Sequence, residues 1–435
     1  MRVADLSERE LIAYVTAQRW FAAKGHEVAA ARILDEAELE GGVSVALAEL
    51  RFREGTHDVY QLVAGEELDG LAEPRAALEL LGCVRAGAAH AAGEGTLEFH
   101  PVALDVEPAA ARPLGGEQSN TSVVYDDSLI LKAYRRIEPG VNPELELLGF
   151  LGERGFEHAP PLAGSYAYAG RPLDATLGVV QGFVPGGLDG WELTLDLLES
   201  APDALLERIV RLGRVTGTMH TLLASEPDDP AFAPEETGPE TLGLLAASVD
   251  EQIERTFLEL PEGVEALEPV RGRGEEVRER LRELTHAGGA GSLIRTHGDL
   301  HLGQTLWAKE DWTIIDFEGE PGRPLSERRH KRSPLRDVAG MLRSFAYAAS
   351  AVELLRGTPA PPAWEEFARA VFLDGYLDTV DPELVPFGSA LDKLLAVFEL
   401  EKAVYELRYE LGSRPDWVPI PVAGIVRLLE QPVQT

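Results

Sequence analysis

Cysteine is nearly missing from this chain of 435 residues. Cys83 stands alone among Leu78, Leu80, Leu81 and Val84, so no intramolecular disulfide can form and a buried, inert thiol is expected. Uncharged runs long enough to span a bilayer are also lacking, and Met1 to Val15 mixes charged with apolar residues where a secretory signal would be apolar. A soluble, cytoplasmic protein with no membrane partner is expected, and a monomer. Basic residues are scarce. The 40 Lys and Arg face 74 Asp and Glu, and the net charge of -34 repels a phosphate backbone, which argues against nucleic acid as a partner. The acidity itself reads as a heavily solvated surface. There is no internal repeat, no low-complexity segment and no complete G-x-G-x-x-G loop.

What is present is 45% apolar residues, enough over this length for two or three packed units. Residues 1–108 read as a small α+β unit. Ser7-Glu8-Arg9-Glu10 is a capping box starting a helix toward Gln18. Val43 to Phe52 and His57 to Val63 form a hairpin around Gly55, Glu73 to Ala92 is helical in period, and Thr96 to Val102 returns to strand. Residues 109–186 carry two strands around Asp126-Asp127-Ser128, a helix opened by Asn142-Pro143, and further strand from Ser165 to Val184. From Trp191 helical periodicity dominates residues 187–435, with helices expected over 208–223, 239–257, 274–285, 335–355, 363–377 and 391–411. The expected fold class is α+β and bilobal, like the eukaryotic protein kinases. An N-terminal cap subdomain, a β-rich N-lobe and a mostly helical C-lobe carrying the catalytic site follow in that order.

The chemistry concentrates where the helices are interrupted. In His297-Gly298-Asp299-Leu300-His301-Leu302-Gly303-Gln304 the acid and the amide stand five positions apart, the spacing with which kinase loops hold a base and a metal ligand. The run Trp312 to Ile315 reads as a strand delivering Asp316 to the same metal, and such oxygen donors suit Mg²⁺ bound with nucleotide phosphates. His297 is expected to brace the loop, while His301 lies within reach of the acceptor. Upstream, the loop Gly115 to Ser122 offers backbone and side-chain donors for ATP phosphates from Ser119, Asn120, Thr121 and Ser122. Lys132 stands on the next strand, and Glu144 or Glu146, the latter preferred, pairs with it. Backbone around Gln181, Phe183 and Val184 is a candidate for adenine. Glu406, Tyr409 and Trp417, near Tyr405 on a long helix and just after it, offer aromatic planes and carboxylates to a sugar.

Five segments together resemble one family: Gly-Glu-Gln-Ser-Asn-Thr-Ser (116–122), the 297–304 loop, Asp-Phe-Glu-Gly-Glu-Pro (316–321), Ser-Pro-Leu-Arg-Asp-Val-Ala-Gly (333–340) and Glu-Lys-Ala-Val-Tyr-Glu (401–406). They are similar to bacterial maltokinases, a branch of the aminoglycoside-phosphotransferase-like kinases, and Gln18-Arg19-Trp20-Phe21 resembles the start of their cap. The resemblance implies ATP-dependent phosphorylation of a small sugar, maltose to maltose 1-phosphate for α-glucan synthesis. Asp299 would be the base, Gln304 and Asp316 would hold Mg²⁺, and Lys132 would meet the phosphates. The related glucosamine kinases imply an alternative, glucosamine to glucosamine 6-phosphate or another amino sugar.

Overall fold

The computed structural model describes residues 2–115, 119–285 and 291–430. It divides into two compact units, Met1–Gly186 with Pro321–Arg328, and Gly187–Glu320 with Arg329–Thr435.

In the first unit, Ser7 caps the helix Glu8–Thr16: its side chain accepts from Glu10 N, while its own N–H donates to the Glu10 carboxylate (2.9 Å). Leu11 and Val15 of that helix join Trp20, Phe21, Ala48, Leu50, Tyr60 and Leu62 in one apolar cluster. The strands beneath run in the antiparallel order Val28–Glu38, Ser44–Phe52, His57–Ala64 and Arg136–Ile137. The first of these is missed by sequence pattern, because its Ala, Glu and Arg content favours helix. Pairing with the almost wholly buried Ser44–Phe52 makes it a strand. The helix expected over Glu73 to Ala92 is shorter, Pro74–Ala86. Gly87, left-handed at φ 60°, turns its N–H onto the Cys83 and Val84 carbonyls, and Ala89–Ala91 becomes an edge strand.

That strand opens a seven-stranded antiparallel sheet ordered Ala89–Ala91, Gly95–Pro101, Leu162–Gly170, Asp174–Gly182, Leu129–Tyr134, Asn120–Tyr125 and Ala111–Leu114. Asp126 and Asp127 link two of its strands with both φ positive (45° and 49°), the conformation of a tight hairpin turn that matches strand twist. Asn142 accepts from Glu144 N and so caps the helix Pro143–Glu153.

The second unit is mainly helical: Gly190–Ser200, Pro202–Leu223, Pro239–Leu258, Gly274–Thr285, Leu335–Arg356, Trp364–Leu377, Ser389–Ser413 and Pro419–Glu430. Val249, Ile253, Val277, Leu281, Val397, Leu400, Val404 and Ile425 form a core cluster there. Leu335–Arg356 is apolar and long enough to cross a membrane, yet 67% of its apolar window is buried. A small sheet, Leu188–Asp189, Thr305–Ala308 and Asp311–Ile314, breaks the helical pattern and flanks the 297–304 segment.

Candidate active site

Residues 297–301 are irregular backbone leading into a single 3-10 turn at Leu302–Gln304, so the shape of this stretch comes from outside anchors. Asp337 on helix Leu335–Arg356 supplies the main one: Oδ2 accepts from His297 N (2.8 Å) and Oδ1 from Gly298 N (2.9 Å). His220 donates from Nε2 to the same carboxylate (3.1 Å), and its Nδ1 lies 3.1 Å from the Tyr376 hydroxyl. Burial alone would push the Asp337 carboxyl up. The His220 hydrogen bond and charge, the nearby His297 and the Gly298 N–H outweigh it and hold the group below the usual aspartate value. Gly340 lets this helix approach closely, since a Cβ there would lie 2.6 Å from the Leu300 carbonyl oxygen.

His297 braces the loop as expected from its position. Its Nε2 donates to the Ile315 carbonyl (2.9 Å), which leaves Nδ1 to accept from Asp299 N (3.3 Å), and its ring packs on Phe317 at 4.9 Å. Gly298 has φ 85°, and a Cβ there would come within 3.2 Å of Gly319 Cα. The loop and the Asp316-Phe317-Glu318 turn are therefore packed backbone to backbone. Gln304 and Asp316 are brought together: Gln304 Nε2 lies 2.9 Å from Asp316 Oδ2, and Gln304 O accepts from Ile315 N. Asp316 adopts φ 66°, a left-handed conformation that aspartate tolerates better than most residues. His301 folds back so that its Nδ1 accepts from Gly303 N, and burial keeps its pKa below the ordinary histidine value, with Asp299 opposing.

Lys402, inside the 401–406 segment but with no role expected from its spacing, is set against the candidate base. Its Nζ lies 3.2 Å from Asp299 Oδ1, with the two side chains 28% and 18% exposed. Burial by itself lowers this lysine's pKa, but Asp299, Glu320 and Glu406 raise it further, so it stays charged. The Tyr405 ring sits beneath the ammonium at 5.5 Å and is itself 41% exposed. Glu406, expected at the sugar, is buried: its Oε2 accepts from Nε and Nη2 of Arg343 (3.0 and 2.7 Å). Tyr409 is half exposed with Arg414 over its ring. Trp417 stacks on Tyr347 (6.1 Å, 24°), lies 6.4 Å from Trp191, and has Arg414 at 4.6 Å. Its ring is thus largely engaged in packing.

In the first unit, strand register sorts the nucleotide candidates. Residues directly opposite in an antiparallel pair share a face. Lys132 stands opposite Ser122 and Val179, Tyr134 opposite Asn120, and Gln181 two residues beyond Val179. Asn120, Ser122, Lys132 and Gln181 therefore project from one face. Thr121 is a correction: it belongs to the other face, where its hydroxyl accepts from Nε of the buried Arg135 (2.7 Å). Glu146 is the second correction. The buried ion pair is made by Glu144, whose Oε2 lies 3.2 Å from Lys132 Nζ and accepts from the Tyr134 hydroxyl (3.0 Å). Glu144 shares the buried helical face with Leu147, Leu148 and Leu151, and Glu146 falls about 200° around from it. Among the expected adenine contacts, the N–H groups of Gly182 and Phe183 donate to Pro161 O and Ser128 O, so neither is open to a purine. Among the described residues, Gln181 Oε1 is buried without a hydrogen-bond partner, and nothing accepts from Val184 N. Ser119 is described but exposed. Gly116, Glu117 and Gln118 of the expected phosphate loop lie outside the described residues.

Residues 110–319 match the family model of the phosphotransferase enzyme family, and residues 14–95 match that of the maltokinase N-terminal cap domain. A glucosamine kinase of Streptacidiphilus jiangxiensis is 28% identical over 340 residues, covering 74% of this chain and 75% of its own. A second, from Mycolicibacterium smegmatis, is 27% identical over 344 residues, covering 74% and 81%. In fold, the chain is similar to a glucosamine kinase structure with TM-score 0.76 at 22% identity, covering 99% of both chains. It is also similar to a glucosamine kinase in complex with glucosamine, ADP and inorganic phosphate, with TM-score 0.72 at 22% identity, covering 96% of this chain and 98% of that one. The chain thus combines a segment at 110–319 that matches the phosphotransferase enzyme family with a segment at 14–95 that matches a maltokinase-type cap, on a kinase-like fold with a β-rich N-terminal region and a helical C-terminal region.

Proposed function

We propose that this protein transfers the γ-phosphoryl group of ATP to a hydroxyl of a small sugar. The observation that carries the proposal is the cluster on the 297–316 segment, where Asp299 faces Lys402 at 3.2 Å and Gln304 meets Asp316 at 2.9 Å. In the reaction the acceptor hydroxyl gives its proton to the Asp299 carboxylate and its oxygen bonds to the γ-phosphorus. The bond from that phosphorus to the bridging oxygen breaks, and the electron pair leaves with ADP. Lys132, held by Glu144, faces nucleotide phosphates, and Gln181 Oε1 and Val184 N–H are the groups open to an adenine edge.

Gln304 and Asp316 fit a divalent cation: an amide and a carboxylate side by side are the hard oxygen donors that Mg²⁺ takes. They would hold it, and bound there it offsets negative charge on the nucleotide phosphates.

Maltose is the acceptor that the sequence motifs and the cap match support, giving maltose 1-phosphate for α-glucan synthesis. A second reading, glucosamine to glucosamine 6-phosphate, is favoured by the two relatives named as glucosamine kinases. Tyr405 and Tyr409, with exposed rings, are the sugar-facing planes in either case, ahead of Glu406 and Trp417.

Asp299→Asn separates chemistry from binding. Turnover should fall by about 10³-fold while nucleotide affinity, read by titration with a fluorescent ATP analogue, changes little. Turnover close to the unmodified enzyme would remove Asp299 from the role of base. Asp316→Ala should instead make nucleotide binding insensitive to magnesium, and an unaltered magnesium dependence would count against its assignment.

A further inference from the structure

We propose that Lys402 is the positioning residue for Asp299, fixing which carboxylate oxygen meets the acceptor hydroxyl. The inference rests on the function proposed above.

One helix serves as the common frame. Leu335–Arg356 holds the catalytic loop through Asp337, and it also sets the register of Ser389–Ser413, the helix that carries Lys402. Arg336 pairs with Glu401 (2.8 Å), Arg343 with Glu406 (2.7 Å), and the Tyr347 hydroxyl reaches Glu410 (3.3 Å). Positions 336, 343 and 347 recur at seven and four residues, so they lie along one helical stripe, as do 406 and 410 opposite them. Base and ammonium are thus referred to the same rigid element although 103 residues separate them in sequence.

The chemistry follows from which atoms are used. Lys402 occupies Oδ1 of Asp299, and among the described residues no group bonds Oδ2. The free oxygen is the one available to an acceptor hydroxyl, and the ion pair resists rotation about the Asp299 side chain. Lys402 itself takes no proton, since the surrounding carboxylates keep it charged. An ordered carboxylate raises the fraction of encounters in which the acceptor oxygen is aligned for in-line attack, so the benefit falls on kcat.

The test compares Lys402→Ala, Lys402→Arg and Asp299→Asn. Lys402→Ala should lower kcat by about 100-fold and leave the KM for ATP within about 2-fold. Ethylammonium in the assay should restore part of the loss, and Lys402→Arg should retain more activity than Lys402→Ala. Should Lys402→Ala not fold, Lys402→Gln, of similar reach and neutral, serves for the same comparison. A kcat within about 3-fold of the unmodified enzyme overturns the proposal. So does a loss that amine leaves untouched and that tracks a raised KM for ATP and a lowered melting temperature, the pattern of a merely structural lysine. If Asp299→Asn turns over freely, the function proposed above falls first. If only Lys402→Ala does, the base assignment stands and the positioning role goes.

Discussion

Lys132 owes its place to strand register, with Ser122 and Val179 opposite it and a buried glutamate from the next helix beside it. Asp299 is placed differently. It sits on irregular backbone tied to Asp337, 39 and 40 residues later at the two bonds, and paired with Lys402 far beyond. Regular hydrogen-bond ladders in the first unit distribute the cost of any single change. The second unit concentrates its geometry on a few buried charges, where removing one partner strands the other in a low-dielectric interior.

Substitutions at both places sharpen that contrast. The largest loss should come from Asp337→Ala, which leaves two loop N–H groups and His220 without their acceptor. A destabilisation of about 3–5 kcal/mol is expected in denaturant unfolding, and a cost near 1 kcal/mol would show that the loop is held by other means. Lys132→Met should follow, weakening ATP binding by about 10–100-fold in a nucleotide titration and also lowering stability, because the buried Glu144 loses its cation. An unchanged affinity would remove Lys132 from the phosphate site.

Acid titration gives a further comparison. The Asp337 carboxyl lies below the ordinary aspartate value in the folded state, so its contribution is complete above the unfolded carboxylate pKa and is lost as pH falls through the folded one. Melting temperature should therefore drop on acidification below about pH 4, and more steeply than in Asp337→Asn, which has nothing left to protonate at that position. Parallel curves for the two proteins would contradict this. The smallest effect belongs to the first unit's capping box. Ser7→Ala should cost about 1 kcal/mol with kinetics unchanged, and a larger cost would mean that the cap is less robustly built than its sheet implies.

Legibility followed the same division. The helices at 239–258, 274–285, 335–356 and 364–377 and the Ser7 and Asn142 caps follow from periodicity and capping chemistry, because local sequence dictates them. Val28–Glu38 escapes that reading, since its residues favour helix and only the neighbouring strand makes it extended. Within the candidate site, the 299–304 spacing brings out Asp299 and Gln304, and the apolar run before Asp316 brings out its partner. Lys402 lies in the 401–406 segment that carries the resemblance, but nothing in its spacing assigns it a role: a lysine on an amphipathic helix is ordinarily a solvated one. Glu144 could have been preferred over Glu146 from helical phase alone, as the residue in step with Leu147, Leu148 and Leu151. Thr121 could have been set apart by alternation, given Lys132 as the reference face.

The measurement that bears most directly on the central claim is an acceptor panel of maltose, glucosamine, glucose and kanamycin, each incubated with ATP and magnesium and followed by identification of the phosphorylated product. ADP and sugar phosphate should form in equal amounts, with maltose 1-phosphate the leading product and glucosamine 6-phosphate the mark of the second reading. No ATP consumption with any sugar would contradict that claim.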